Sequence, residues 1–276
     1  MGRLSDGPSA DPLRQLDEDA FRAADVAEPP ADADLRSSGQ WNAPSSAGRV
    51  DEIRANRVSN RCMSKVRAHI STSLDGYVAG PNQSMENPLG EGGEGLHDWL
   101  VALKAWRELV GMEGGEENDS DAVVREENAN VGAEIMGRGK FGPPSRGAWG
   151  EDPWQGWWGD EPPFHKPVFV LTHHEREPLT MSDTTYTFVT DGIQSALEQA
   201  RAAAGDKDVF IGGGANVINE YLGAGLLDVL ELHLVPILLG GGGARLFEGI
   251  GPDVTLKQIR VLEAPGVTHL KYRVVK

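Results

Sequence analysis

A regular alternation of apolar and polar positions begins at Val66. Val66, Ala68 and Ile70 are apolar while Arg67, His69 and Ser71 are polar, and this period of two predicts a half-buried strand. Leu96, Trp99, Leu100, Leu103, Trp106 and Val110 recur at helical spacing and predict an amphipathic helix over 96–110. A Gly/Glu-rich loop at 111–121, a helix over 121–131 and a short strand at Glu134–Met136 follow. Residues 138–166 are irregular and aromatic, with Trp149, Trp154, Trp157, Trp158 and Phe164. Pro167–Thr172 and Tyr186–Val189 read as strands and 192–204 as a helix. Val209–Ile211 is a short apolar strand that runs into Gly212-Gly213-Gly214 and a helix near 215–223. A strand at 227–236, a Gly-rich loop at 240–243 and strands near 254–262 and 267–275 complete the pattern.

Strands that alternate with helices imply an α/β fold with a mostly parallel sheet. The last two strands have only the Pro265-Gly266 turn between them, so they form an antiparallel hairpin at the sheet's edge. Residues 63–276 are expected to be one domain. Residues 1–62, with Pro8, Pro12, Pro29, Pro30, Pro44 and few large apolar groups, cannot bury enough surface to offset ordering and are expected to be a disordered leader. Met63 is then a candidate start of the domain.

The net charge is −16, and residues 1–62 contribute only 8 Lys/Arg against 11 Asp/Glu, so most of the negative charge belongs to the domain. A surface of this sign repels phosphate backbones and disfavours nucleic-acid binding. An anionic cofactor needs local donors, such as backbone amides, a helix N-terminus or a few placed Arg and His. No apolar run reaches membrane length and no secretory signal opens the chain, which makes a cytoplasmic protein the expectation. The one cysteine, Cys62, cannot form an internal disulfide and reads as an incidental thiol.

Three motifs place candidate chemistry at strand ends. Val209-Phe210-Ile211-Gly212-Gly213-Gly214-Ala215-Asn216 is a strand, three glycines and a helix start, which suits a pyrophosphate. A tight turn with no ligand fits the same residues. It is not a Gly-x-Gly-x-x-Gly fingerprint, since Val217 stands at the third glycine, and no Walker loop follows. Met136-Gly137-Arg138 puts a guanidinium just past a strand, where it is either a ligand contact or a solvated basic turn. Leu171-Thr172-His173-His174 ends a third strand in a hydroxyl and two imidazoles. With no third ligand at suitable spacing, no metal is expected there.

Together with Ser73-Leu74-Asp75-Gly76-Tyr77-Val78-Ala79, Leu226-Leu227-Asp228 and Pro236-Ile237-Leu238-Leu239-Gly240, these motifs resemble the dihydrofolate-reductase-like superfamily. The resembling branch is the C-terminal reductase domain of the bifunctional riboflavin-biosynthesis deaminase/reductase, over about Lys65 to Tyr272. The resemblance implies an NADPH-dependent reductase that passes a hydride to a C=N or C=O of a small pyrimidine- or pterin-like substrate, similar to 5-amino-6-(5-phosphoribosylamino)uracil reductase. It implies that Gly137, Arg138, Thr172 and His173 meet the adenosine ribose and its 2′-phosphate. Gly213, Gly214, Ala215, Asn216 and Val217 would then cradle the pyrophosphate, and Val78 and Ala79 line the nicotinamide. It also implies a homodimer. Gly212 stands where riboflavin-pathway reductases generally place a substrate-binding Glu.

Asp75 and Asp98 are the carboxylates available to move a proton. Asp75 serves equally as a turn residue before Gly76, and Asp98 as a helix start. The Trp-rich segment is a substrate lid, a dimer contact or a satellite cluster. A catalytically silent module that keeps the fold is the alternative function.

Overall fold

The computed structural model describes residues 64–143, 147–150, 154–241, 243 and 245–276. The expected leader, 1–62, and Cys62 lie outside the described residues.

Nine strands form one sheet: β1 (Val66–Ser73), β2 (Val131–Gly137), β3 (Val168–Leu171), β4 (Leu179–Met181), β5 (Thr184–Val189), β6 (Asp208–Gly213), β7 (Val229–Val235), β8 (Thr255–Ala264) and β9 (Val267–Val275). Their spatial order is β4-β5-β3-β2-β6-β1-β7-β9-β8. The run from β5 to β7 is parallel throughout. β9 is antiparallel to β7, and β8 closes the edge as the expected hairpin. β4, a short antiparallel strand on the other edge, has no counterpart in the sequence reading.

Two helices cover one face, α5 (Gly192–Ala204) and α6 (Ala215–Gly223). They pack on the apolar strand positions, Val66 and Ala68 of β1, Ile135 of β2, Ile211 of β6 and Leu230 of β7. Ile135, Ile211, Ile218, Leu222 and Leu230 are fully buried, each side chain contributing about 2 kcal/mol of transfer free energy.

The other face carries a 3-10 turn (Gly93–Leu96), α1 (Asp98–Val101), α2 (Lys104–Leu109) and α3 (Asp119–Asn128), with α4 (Arg138–Phe141) beyond β2. The expected single helix over 96–110 is therefore broken. Leu103 is extended, with φ −77° and ψ 142°, because the returning chain bridges it: Glu116 N–H donates to Ala102 O at 2.8 Å and Lys104 N–H to Glu116 O at 2.9 Å. α3 starts at Asp119, two residues before the expected position, because the Asn118 side chain caps it by accepting from Ser120 N and Asp121 N. Its early end at Asn128 frees Val131–Ala133 to join β2.

Of the three expectations for the Trp-rich segment, a satellite cluster is what the chain builds. Trp149, Trp154 and Trp158 pack against Met136, Phe141, Phe164 and Tyr186 over the β2, β3 and β5 end of the sheet. Among the described residues no helix is long and apolar enough to cross a membrane.

Candidate functional site

Parallel strands end on one edge, so the order β3-β2-β6-β1 sets the order of the groups that follow them. Thr172 follows β3, Arg138 follows β2, Gly213 and Gly214 end β6, and the loop to Val78 and Ala79 follows β1. With neighbouring strands about 4.8 Å apart, this row spans roughly 14 Å.

At its centre, Gly213 has φ +91°, a conformation that favours glycine, and its peptide to Gly214 is cis. A side chain at Gly214 would meet open space. Gly214 is the N-cap of α6 with no side-chain cap. The amides of Ala215, Asn216 and Val217 have no acceptor within the helix, and they lie at the positive end of its dipole. Asn216 is exposed while Ala215 and Val217 are buried. Val217 also fixes Gly137: a Cβ there would sit 2.8 Å from Val217 Cγ2.

Arg138 is only 8% exposed. Its guanidinium carbon lies 3.3 Å from the Trp149 ring centre, Nε donates to Gly142 O and Nη2 to Gly147 O, and Nη1 is buried without a partner. Burial lowers its pKa, and neighbouring Arg176 lowers it further. Thr172 is buried and its Oγ1 accepts from His174 N–H, whereas His173 is exposed. Arg176, which the sequence reading passed over, stands 4.7 Å from the Trp149 ring centre.

The β1 loop is held down by Asp75. Its carboxylate accepts from Ser73 Oγ at 2.5 Å, Leu239 N at 3.2 Å and Gly240 N at 2.8 Å. The Ser73 hydroxyl above all, with the two amides, draws its pKa down to about 2. Through these bonds the carboxylate staples the β1 loop to the loop after β7. Asp98 is exposed at the first position of α1, and desolvation raises its pKa. Ala79 is buried against the loop between β7 and β8, since a Cβ on Gly243 would lie 1.9 Å from Ala79 O. Val78 is partly buried against the main apolar core.

The sheet face opposite α6 is also covered, and it buries a cluster of ionisable groups. Glu127, His233 and His269 are at most 6% exposed. His233 Nε2 lies 3.1 Å from Glu127 Oε1, an ion-pair distance with geometry too bent for a hydrogen bond. His233 Nδ1 meets His269 Nδ1 at 2.8 Å, and His269 Nε2 meets Ser120 Oγ at 2.9 Å. Burial opposes ionisation of Glu127, but His69 and His233 outweigh it and hold its pKa at about 2. Burial pushes His69, His97 and His269 down to about 4. The Ser120 hydroxyl, His269 and His233 thus form one buried polar chain that ends beside Glu127. His69 stacks on Phe210 with ring centres 4.1 Å apart, and Nδ1 of His97 is buried without a partner. The arrangement packs one buried carboxylate among three imidazoles. Among the described residues no group of three or more His, Cys, Asp or Glu is disposed to hold a metal ion.

Gly212 carries a further constraint. A Cβ there would fall 2.1 Å from Glu134 Oε1 and 2.8 Å from Lys140 Nζ. These two groups pair at 3.0 Å, so a carboxylate fills the space above Gly212, supplied by β2.

The match that decides the relationship covers residues 64–270, the whole of this edge and both faces, and it is to the RibD C-terminal domain. The chain belongs to the RibD C-terminal domain family. Among curated relatives, Bacillus subtilis YyaP, an uncharacterized protein, is 25% identical over 119 residues, which is 41% of this chain and 62% of YyaP. The chain thus matches less than two thirds of that relative's length. Of solved structures, a candidate riboflavin biosynthesis protein from Shewanella sp. PV-4 is 22% identical with a TM-score of 0.51, covering 77% of this chain and 99% of that one. A dihydrofolate reductase from Enterococcus faecalis complexed with NADP(H) is 14% identical with a TM-score of 0.45, covering 77% and 97%. The Shewanella protein shares the fold of this RibD C-terminal domain, a mostly parallel α/β sheet with antiparallel edge strands.

Proposed function

We propose that this RibD C-terminal domain is an NADPH-dependent reductase of a small heterocycle. The supporting observation is the linear order of groups along one sheet edge. Thr172 and Arg138 suit a ribose 2′-phosphate, Gly213 to Val217 a pyrophosphate, and the Val78–Ala79 loop a nicotinamide, in the sequence in which those parts occur along the dinucleotide. The residues fit the group chemically: the α6 amides have no side-chain cap, a buried Arg138 nitrogen lacks a partner, and Gly214 opens onto free space.

Bound NADPH supplies a hydride to a C=N or C=O carbon. The chain's own residues would hold the diphosphate with backbone amides and fix the nicotinamide loop through the Asp75 staple. Like 5-amino-6-(5-phosphoribosylamino)uracil reductases, this protein would act on a flat pyrimidine- or pterin-like ring. Exposed Ile259, Val261 and Val275 on the β8–β9 hairpin support a homodimer through that edge.

The test is loss of dihydronicotinamide absorbance across a panel of pyrimidine, pterin and quinone acceptors, including 5-amino-6-(5-phosphoribosylamino)uracil. Turnover of one acceptor is expected. Stoichiometric NADPH binding with no oxidation across the panel would favour the silent module.

A further inference from the structure

Two separate covers lie on the sheet face opposite α6. The helices α1 to α3 cover β7 and β9 through Val235 and Val267, and the tryptophan cluster covers β2, β3 and β5. Between them run β6 and β1, at the middle of the sheet. Ala68 and Ile211, which face α6, are closed off from solvent. Phe210, Gly212 and His69 alternate with them toward the other face and are only half-buried. Half-buried positions on two central strands mark a cleft between the covers, and it ends beside Gly213 and the start of α6.

One wall of that cleft carries an ion pair. Lys140 of α4 and Glu134 of β2 meet at 3.0 Å, with the lysine side chain 30% exposed and the glutamate side chain 4%. The pair sits over Gly212, in the space that a side chain there would fill. The ammonium lies 5.9 Å from the Phe210 ring centre. Lys140 Nζ has three protons and gives one to Glu134 Oε1; among the described residues Glu134 Oε2 accepts no hydrogen bond. A buried carboxylate with a spare oxygen beside an ammonium with spare protons is costly by itself and suits a ligand that completes both.

We infer that Lys140 and Glu134 determine acceptor specificity by reading one cyclic-amide edge of the ring, Lys140 donating to its C=O and Glu134 accepting from the neighbouring N–H. This rests on the reductase reading and deepens it, because it names the edge that an acceptor must present. Bond lengths of about 1.23 Å for C=O and about 1.33 Å for C–N place the oxygen and nitrogen of a cyclic amide about 2.2 Å apart. Groups 3.0 Å apart reach both atoms through nearly parallel hydrogen bonds of about 2.8 Å. A quinone has no N–H and leaves the carboxylate unanswered. A 2,4-diamino ring turns an amino donor toward the ammonium and readily takes up a proton, so Lys140 repels it. A carboxylate without the lysine would choose the opposite way.

Full-length protein is titrated calorimetrically with pterin, with 2,4-diaminopteridine and, separately, with NADPH, as wild type, Lys140→Met and Lys140→Arg. The two rings differ only in an oxygen or an amino group at one carbon. Wild type binds pterin roughly tenfold or more tightly than the diamino ring. In Lys140→Met, pterin affinity falls roughly 10- to 100-fold, the preference is lost and NADPH affinity is unchanged. Lys140→Arg recovers part of the preference. Wild type that binds neither ring, or that does not prefer pterin, overturns the inference. So does Lys140→Met that keeps the preference, or that loses pterin and NADPH together, as general damage would. Wild type that selects pterin but binds no NADPH removes the cofactor reading and leaves the ring assignment standing. Should Lys140→Met not fold, the ring preference of the wild type decides alone.

Discussion

The guanidinium of Arg138 lies flat against the indole of Trp149, 3.3 Å from its centre, and the indole N–H donates to His174 O at 3.0 Å. One aromatic ring thus links the residues that follow β2 and β3 and covers the positive charge expected to meet a phosphate. An anion reaching Arg138 must shift that ring. Addition of 2′,5′-ADP should therefore change tryptophan emission in the wild type, and Trp149→Phe should lose most of that change while still binding. Equal emission changes in both proteins would mean that the ring stays over the arginine.

Asn216 provides a test in which stability and binding move in opposite directions. It is exposed in the first turn of α6. Asn216→Asp places a negative charge at the positive end of the helix and should stabilise the fold by about 0.3–1 kcal/mol. The same charge repels a pyrophosphate, so NADPH affinity should fall roughly tenfold or more. Thermal melting and calorimetry read the two effects. Unchanged NADPH affinity would place the diphosphate elsewhere.

The buried imidazoles make stability depend on pH. His69, His97 and His269 have pKa values of about 4 in the folded chain against 6.5 in the unfolded one. Above pH 6.5 they are neutral in both states. As pH falls from 6.5 toward 4 the unfolded chain takes up protons that the folded chain does not, so folding free energy is lost over that window. A fully buried imidazole accounts for on the order of 3 kcal/mol across the whole range. Glu127, held at about 2, adds a further loss below its unfolded value of 4.5. Melting temperature should be flat between pH 7 and 8 and fall steadily from about pH 6.5. A flat profile down to pH 5 would contradict the cluster.

Gly137→Ala checks how tightly the edge is built. The added methyl would meet Val217 Cγ2 at 2.8 Å, at the junction of β2 and α6. Overpacking there should cost about 1–3 kcal/mol. Gly111→Ala serves as a control for the added methyl group, although the strain of φ +75° at that exposed position adds its own cost. A variant as stable as wild type would mean that Val217 has room to move.

The apolar pattern revealed the sheet because each central strand buries an apolar set against α5 and α6. It also located the carboxyl-edge residues, since glycines, Arg138 and Thr172 sit at strand ends by local sequence alone. The pattern missed the break at Leu103, because the bridge to Glu116 is a backbone contact that helical spacing does not encode. β4 went unseen because it has only three residues, at an edge. The imidazole cluster was hidden for a different reason. His69, Glu127, His233 and His269 are far apart in sequence, and on their own strands, or on α3 for Glu127, they look like polar positions facing water. Only the cover of α1 to α3 turns that face inward. Arg176 was missed because a lone Arg between two glutamates reads as a solvated charge, and only the fold brings it to Trp149.

Paired calorimetric titrations of the full-length protein with NADPH and NADH test the central claim most directly. The crevice described here predicts saturable one-to-one binding of NADPH and an affinity for NADH roughly 100-fold weaker, the worth of a few charge-assisted hydrogen bonds to the 2′-phosphate. Equal affinity for the two dinucleotides, or no binding of either by the folded protein, would contradict it.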